Sequence, residues 1–254
     1  MFRLFLIVVY NLQIESQEKH MNHTTQKDAW QGQANCSLCA IRNSVLFAGL
    51  TEQDFEKLHK PIDSFELKAG CRIYSAGEPA EFMYTIRSGL VKLVQYLPDG
   101  TQRIVRLLRT ADVIGLEATL DPVYKHDAIV LQKAEVCRYP DSAAEALSQS
   151  NPKLHLELMK RWQSALDEAD SWMTEFSTGS SKQRVARLLI MLAKGNVANT
   201  CALFGREDMG AMLGITTETV SRMIAEFKRK HLIVKVTPNE YQCDLSKLKE
   251  IGYS

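Results

Sequence analysis

The hydrophobic period of this chain changes near residue 141, and that change narrows the folds open to it. Between residues 63 and 140, apolar and polar residues alternate in short runs such as SFELKAG, CRIYSAG and HDAIVLQKAEVCRYP. Gly, Pro and Asp-Gly turns close these runs at even spacing, the pattern of a β-roll or barrel, because a strand sends successive side chains to opposite faces. Asp99-Gly100 is the clearest hairpin turn. From residue 151 onward, apolar residues recur at steps of three and four, which lines one face of a helix. The predicted fold class is therefore α+β, a β-roll followed by helices. With 254 residues there is room for two moderate cores joined by a structured element.

Ahead of the roll, MFRLFLIVVY is too short to span a bilayer and is followed by no small-residue cleavage site. It reads as a fixed arm, a disordered leader, or translated upstream sequence if the true start is Met21, the last two being preferred. Residues 11–35 are polar and Gln-rich, so residues 1–35 are expected to be a flexible leader without a membrane partner. Residues 36–150 form the expected sensory unit. It includes a short helix near residues 51–59, with Thr51 as a candidate N-cap, and another near residues 142–149. Hydrophobic residues at 45% and charged residues at 24% fit an ordinary folded protein, here expected in the cytoplasm, where the six cysteines stay reduced.

Asn151-Pro152 is an N-cap followed by proline at the first helical position, and residues 151–178 read as one long central helix. Met159, Trp162, Leu166, Ala169, Met173 and Phe176 follow one another at alternating steps of three and four, with no charge among them. This is the spacing of a coiled-coil seam and predicts a parallel homodimer, against packing of the stripe onto the chain's own domains.

Residues 179–254 are expected to be a winged helix-turn-helix domain. Between residues 177 and 235 ten Lys/Arg stand against four Asp/Glu, a local balance of +6 within a chain of net +1. The remainder is acidic, as in a sensor carrying a DNA-reading module. In FGREDMGAMLGITTETVSRMIAEFKRKHLI, residues 206–213 form a first helix and Gly214 supplies the turn. Thr216 or Thr217 caps a second helix running to about Lys230. Two short helices across a glycine turn put a helix N-terminus into the major groove.

On the second helix, Thr217, Glu218, Ser221 and Arg222 face outward near its start. Arg222 can donate twice to a guanine edge, Glu218 can accept from a cytosine amino group, and Ser221 can reach a base or a phosphate. Thr216 and Arg206 suit phosphate, as do Lys228, Arg229, Lys230 and Lys235. A surface ion pair between Glu218 and Arg222, four positions apart, is compatible with base reading. No paired carboxylates, phosphate-binding glycine loop or metal-hydrolase motif points to an enzyme.

These segments carry a resemblance. From about residue 36 to 245 the chain resembles the cyclic-AMP receptor/fumarate-nitrate regulator (CRP/FNR) family, through AIRNSVLFAGLTEQDFEKL, YSAGEPAEFMYTIRSGLVKL, EVCRYP and ITTETVSRMIAEFKRKHLI. Glu218, Ser221 and Arg222 match the E-x-x-S-R of the fumarate-nitrate side, which reads TTGAT-type half-sites. The resemblance implies a dimer joined by the central helix, double-stranded palindromic DNA as partner, and RNA polymerase contacts from the sensory domain.

It also frames the sensor. Where the cyclic-nucleotide branch holds phosphate with an Arg-Ser pair, this chain has His126-Asp127, and Glu117 is displaced by one position, which argues against a cyclic nucleotide. The oxygen-sensing branch holds an iron-sulfur cluster with cysteines before and within the roll. Cys36, Cys39 and Cys137 match three of these, whereas Val45 occupies the place of another. An oxygen or nitrogen side chain, Cys71 or a small thiol remains open as a fourth ligand. Zinc, haem with His59 or His126 as axial ligand, thiol redox chemistry, and a constitutive regulator without a metal also remain open. So does an interaction protein whose helix-turn-helix is only structural. Cys201 and Cys243 read as core residues.

Overall fold

The computed structural model describes residues 30–36, 38–41, 62–142, 151–194 and 198–254. The helix expected near residues 51–59, and all but the first residue of that near 142–149, lie outside them.

The sensory part is an antiparallel sheet of β1 (Trp30–Gln33), β2 (Asp63–Leu67), β3 (Arg72–Tyr74), β4 (Phe82–Tyr96), β5 (Gln102–Leu108), β6 (Val113–Ile114) and β7 (Asp127–Pro140). Its main path is β1-β2-β7-β4-β5, while β3 adds to β7 and β6 to β4. The long pair β4 and β7 carries register shifts between Ile86 and Val91. Such irregularities bend a strand, and here they curl the sheet into a roll around Phe65, Ile86, Val91, Val130 and Val136. Gly89 sits within that bend at φ +92°, where a Cβ would fall onto the Lys133 carbonyl oxygen. Only glycine satisfies both the backbone angle and the close approach.

β1 corrects the expectation of a leader without structure through residue 35. Its backbone pairs with β2, Gln33 opposite Asp63, and Ala34 N donates to Ile62 O at 2.7 Å. Edge pairing uses main-chain groups, so a polar segment joins a sheet without any side-chain alternation to announce it.

The long helix α1 (Pro152–Phe176) begins at Asn151, whose side chain accepts from Lys153 N and Leu154 N at 3.0 and 3.4 Å. Two stripes run along it. Leu154 and Leu158 are buried with Met83, Val113 and Tyr139 of the roll, and Trp162 packs half-buried beside them. On another stripe Met159, Leu166 and Met173 are 53%, 57% and 68% exposed, and Ala169 is exposed with them. Phe176 departs from the expected dimer seam. It is 4% exposed, meets Trp172 edge-on at a centroid distance of 5.0 Å, and joins the core of the C-terminal part. A last-turn residue is claimed by the neighbouring domain, which the helical spacing alone does not reveal.

That C-terminal part holds α2 (Ser181–Ala193), β8 (Thr200–Ala202), α3 (Arg206–Leu213), α4 (Thr217–Arg229), β9 (Ile233–Lys235), β10 (Glu240–Cys243) and α5 (Leu245–Gly252). Ser180 and Gln183 form a reciprocal capping box that starts α2 after Gly179. Arg187 ties three chain segments together, donating to Glu175 O, Thr178 O and Gly252 O. The small sheet runs β8-β10-β9. Leu90, Val94, Ile104 and Leu107 of β4 and β5 share one continuous core with these helices, so the C-terminal domain is seated on the roll.

Candidate nucleic-acid interface

Helices α3 and α4 meet across Gly214, which stands at φ 62° and ψ 40°, the left-handed conformation that turns the chain between them. Met209, Leu213, Val220, Ile224 and Phe227 are all buried and lock the pair. Thr216 is the N-cap of α4, its hydroxyl accepting from Thr219 N at 3.3 Å. On the opposite face Thr217, Glu218, Ser221 and Arg222 are exposed together over the first two turns, with Thr216 beside them. Arg206 begins α3 half-buried, its guanidinium against the Met209 sulfur at 3.2 Å, and desolvation lowers it from its ordinary value.

Hydroxyls organise the polar face. Arg222 Nη2 donates to Thr219 Oγ1 at 3.2 Å, and Thr219 Oγ1 lies 3.1 Å from Thr216 Oγ1, so hydroxyls link the cap to the arginine. Glu218 is held below the ordinary carboxylate range by its own backbone N–H, then the Thr216 hydroxyl, with the attraction of Arg222 a smaller contribution. At neutral pH it is therefore an acceptor. Thr219 was missed in the sequence because a first-turn threonine gives no sign that its hydroxyl faces an arginine three positions on.

Of the cations at the far end of α4, Lys228 donates to the Tyr241 hydroxyl at 2.9 Å and ties the helix to β10. Lys230 and Lys182 both pair with Glu226, at 2.8 and 2.9 Å, and together lower that carboxyl to about 2. Lys230 is thus occupied within the protein, whereas Arg229 and Lys235 are exposed.

The roll reaches the reading head directly. Lys92 of β4, 8% exposed, forms an ion pair with Asp208 of α3. Arg103 of β5 lies against the Gly214 turn, and a Cβ there would come within 2.6 Å of its guanidinium. An open cleft of about 490 Å³ is lined by Thr101 to Arg103 on one side and by Gly214 and the start of α4 on the other. No local pattern marks Lys92 or Arg103, since their partners are about a hundred positions away.

Inside the roll, Tyr124 stacks on Tyr74 with ring centroids 3.8 Å apart, and its hydroxyl donates to Phe82 O at 2.7 Å. The buried Asp127 carboxylate accepts from Ala76 N at 2.8 Å and faces Arg72 at 3.5 Å. His126 is shifted down by desolvation, which favours its neutral form. Cys36 and Cys137 approach one another because β1 pairs with β2 and β2 with β7, placing Cys137 opposite Ser64. Both pack half-buried beside the Met83–Tyr139 core. Burial pushes the Cys137 thiol up to about 12, with Cys36 and Cys39 adding to the rise. Among the described residues no three His, Cys, Asp or Glu side chains are gathered closely enough to hold a metal ion.

Two family models match the chain. One, the cyclic nucleotide-binding domain, covers residues 64–151, and the other, the Crp-like helix-turn-helix domain, covers residues 183–251. The transcriptional activator protein anr of Pseudomonas aeruginosa is 27% identical over 208 residues, covering 79% of this chain and 85% of that protein. The fumarate and nitrate reduction regulatory protein of Vibrio cholerae is 24% identical over 206 residues, covering 78% and 82%. The solved structure of FixK2 from Bradyrhizobium japonicum shares the fold, with a TM-score of 0.70 at 24% identity, covering 76% of this chain and 98% of that one.

The chain belongs to the CRP/FNR family of transcription factors. It is a DNA-binding regulator, and its family is one of regulators without catalysis. Among the described residues no helix is long and apolar enough to cross a membrane.

Although the first family model is named for cyclic nucleotides, this regulator's roll is poorly suited to one. Asp127 brings a negative charge to the region where the nucleotide branch holds phosphate, and the carboxylate is already engaged by a backbone N–H and Arg72. The neutral tendency of His126 does not offset that charge.

Proposed function

We propose that this regulator is a homodimer that reads palindromic double-stranded DNA with TTGAT-type half-sites and is gated by an iron-sulfur or redox signal at Cys36, Cys39 and Cys137. The observation that carries the DNA reading is the exposed cluster Thr217, Glu218, Ser221 and Arg222 at the capped start of α4. With that end of α4 in the major groove, Arg222 donates to a guanine edge, Glu218 accepts from a cytosine amino group, and Ser221 reaches a base or phosphate. Thr216 and Arg206 hold phosphates, as do Arg229 and Lys235, which fixes the register. A TTGAT palindrome should be retarded in a salt-dependent manner, and Arg222→Ala should abolish that shift. Equal binding of the palindrome by the variant would sink the base-reading role.

The exposed stripe Met159, Leu166, Ala169 and Met173 supports pairing of two α1 helices, with Trp162 at its margin. Ala169 puts no charge on the seam, so the metal-free protein is expected to be dimeric at low micromolar concentration in the analytical ultracentrifuge. A predominantly monomeric boundary would remove this part of the reading. Contacts from the roll to RNA polymerase belong to the same proposal.

For the signal, Cys36, Cys39 and Cys137 are the thiols that would hold a cluster, and thiolates suit iron-sulfur chemistry. A bound cluster would supply sensitivity to oxidants. The shared neighbourhood of Cys36 and Cys137 supports a common site, while the three described thiols do not form a closed metal cage. Burial keeps the Cys137 thiol protonated in the metal-free protein, which slows its direct oxidation, and a bound metal would have to displace that proton. Anaerobic purification followed by iron and sulfide analysis should give both elements, lost in Cys36→Ser and Cys137→Ser. A colourless, iron-free protein from assembly-competent cells would turn the reading to thiol chemistry, zinc or constitutive binding.

A further inference from the structure

A second pair of thiols lies outside the sensory part. Cys201 on β8 and Cys243 on β10 have their sulfurs 3.2 Å apart, closer than nonbonded sulfur contact. The register places Cys201 opposite Tyr241, while Cys243 N donates to Asn199 O at 3.0 Å, so the two cysteines sit diagonally across one antiparallel pair. Both face the core and are 1% and 3% exposed. They therefore meet each other with solvent thiols excluded, the arrangement in which intramolecular pairing outcompetes mixed disulfides.

We propose that Cys201 and Cys243 form a redox-active dithiol in the DNA-binding domain, closed by a hydroperoxide into a reversible disulfide. The hydrogen bond between the sulfurs steadies whichever thiolate forms first, taken here as that of Cys243. Its thiolate attacks the hydroperoxide, the O–O bond breaks, and the leaving alkoxide takes up the thiol proton as an alcohol. The resulting sulfenic acid is attacked by the Cys201 sulfur, forming the S–S bond and expelling hydroxide, which leaves as water with the Cys201 proton. Two electrons pass from the thiols to the peroxide bond, and a dithiol reductant returns them.

Closing the bond brings the sulfurs from 3.2 Å to about 2.0 Å. β8 can follow that movement, because it is a three-residue edge strand of its sheet, bonded to β10 on one side. Local opening of such an edge also admits the oxidant. The bridge would span 42 positions and pin β8 to the strand that carries Tyr241, whose hydroxyl receives the Lys228 hydrogen bond. The oxidant response is thereby independent of Cys36, Cys39 and Cys137.

The test uses the reduced full-length protein treated with tert-butyl hydroperoxide, then denatured, alkylated and digested without reductant. A linked peptide pair containing Cys201 and Cys243, lighter by two hydrogens and released by dithiothreitol, is the expected product. It should persist when Cys36, Cys39 and Cys137 are replaced by serine, and oxidation should raise the thermal midpoint of the wild type but not of Cys201→Ala. Recovery of both cysteines alkylated after oxidation would overturn the proposal, as would linkage of either to a third cysteine. Mapping on the wild-type chain keeps the test valid even where a variant folds poorly.

Discussion

The reading head and the sensory roll are built on opposite plans. Residues 206–229 run α3, turn and α4 in one uninterrupted stretch, and every side chain proposed to meet a base lies within six positions of the cap. The roll assembles its sites from distant segments, joining Asp127 to Ala76 and Cys137 to the neighbourhood of Cys36, and it reaches α3 through Lys92 and Asp208. A locally built site tolerates change in its exposed face without loss of fold. A site assembled across strands ties recognition to stability, so its substitutions should be felt in both.

The contrast is sharpest at Arg222. Its replacement by alanine should cost DNA affinity about 2–6 kcal/mol over two half-sites, from about 1–3 per bidentate contact, measured by fluorescence anisotropy. Its thermal midpoint should stay near that of the wild type, and a large fall would break the separation of recognition from fold. Gly89→Val is the converse. The positive φ and the collision with Lys133 O should destabilise the roll by about 2–5 kcal/mol in urea unfolding, combining backbone strain and overpacking.

Between these extremes stands the ion pair from the roll to α3. Lys92→Ala should lower stability by about 1 kcal/mol, discounted because both partners keep some solvent contact. The double variant with Asp208→Asn should cost less than the sum of the two single changes. Strict additivity would show that the two side chains do not act on each other.

A further expected effect is a pH dependence. Cys137 is raised to about 12 by burial, so the folded state favours its protonated form more than the unfolded state does. Its contribution is complete below the unfolded thiol pKa, near 8.5, and is lost as pH rises toward 12. Cys137→Ala should flatten the alkaline fall in stability measured by urea titration. The part that remains belongs to buried tyrosines, Tyr124 and Tyr139 among them, which are also raised by desolvation. An unchanged alkaline profile would show that Cys137 is not the burdened group.

The amino-acid order by itself determined the change from roll to helices, the limits of α3, the turn at Gly214 and a threonine cap at residue 216 or 217, of which the structure uses Thr216. Each depends on periodicity or on backbone preferences within a few residues. The outward face of α4 was legible for the same reason, since burial of Val220, Ile224 and Phe227 fixes what faces away. Only the tertiary structure decided that the end of the polar leader pairs as β1, that Phe176 turns from the seam into a core, and that Arg222 rests on Thr219. It alone brought Arg103 to the Gly214 turn and Cys201 to Cys243. These are meetings between separately placed elements, and sequence periodicity carries no information about which distant surfaces will touch.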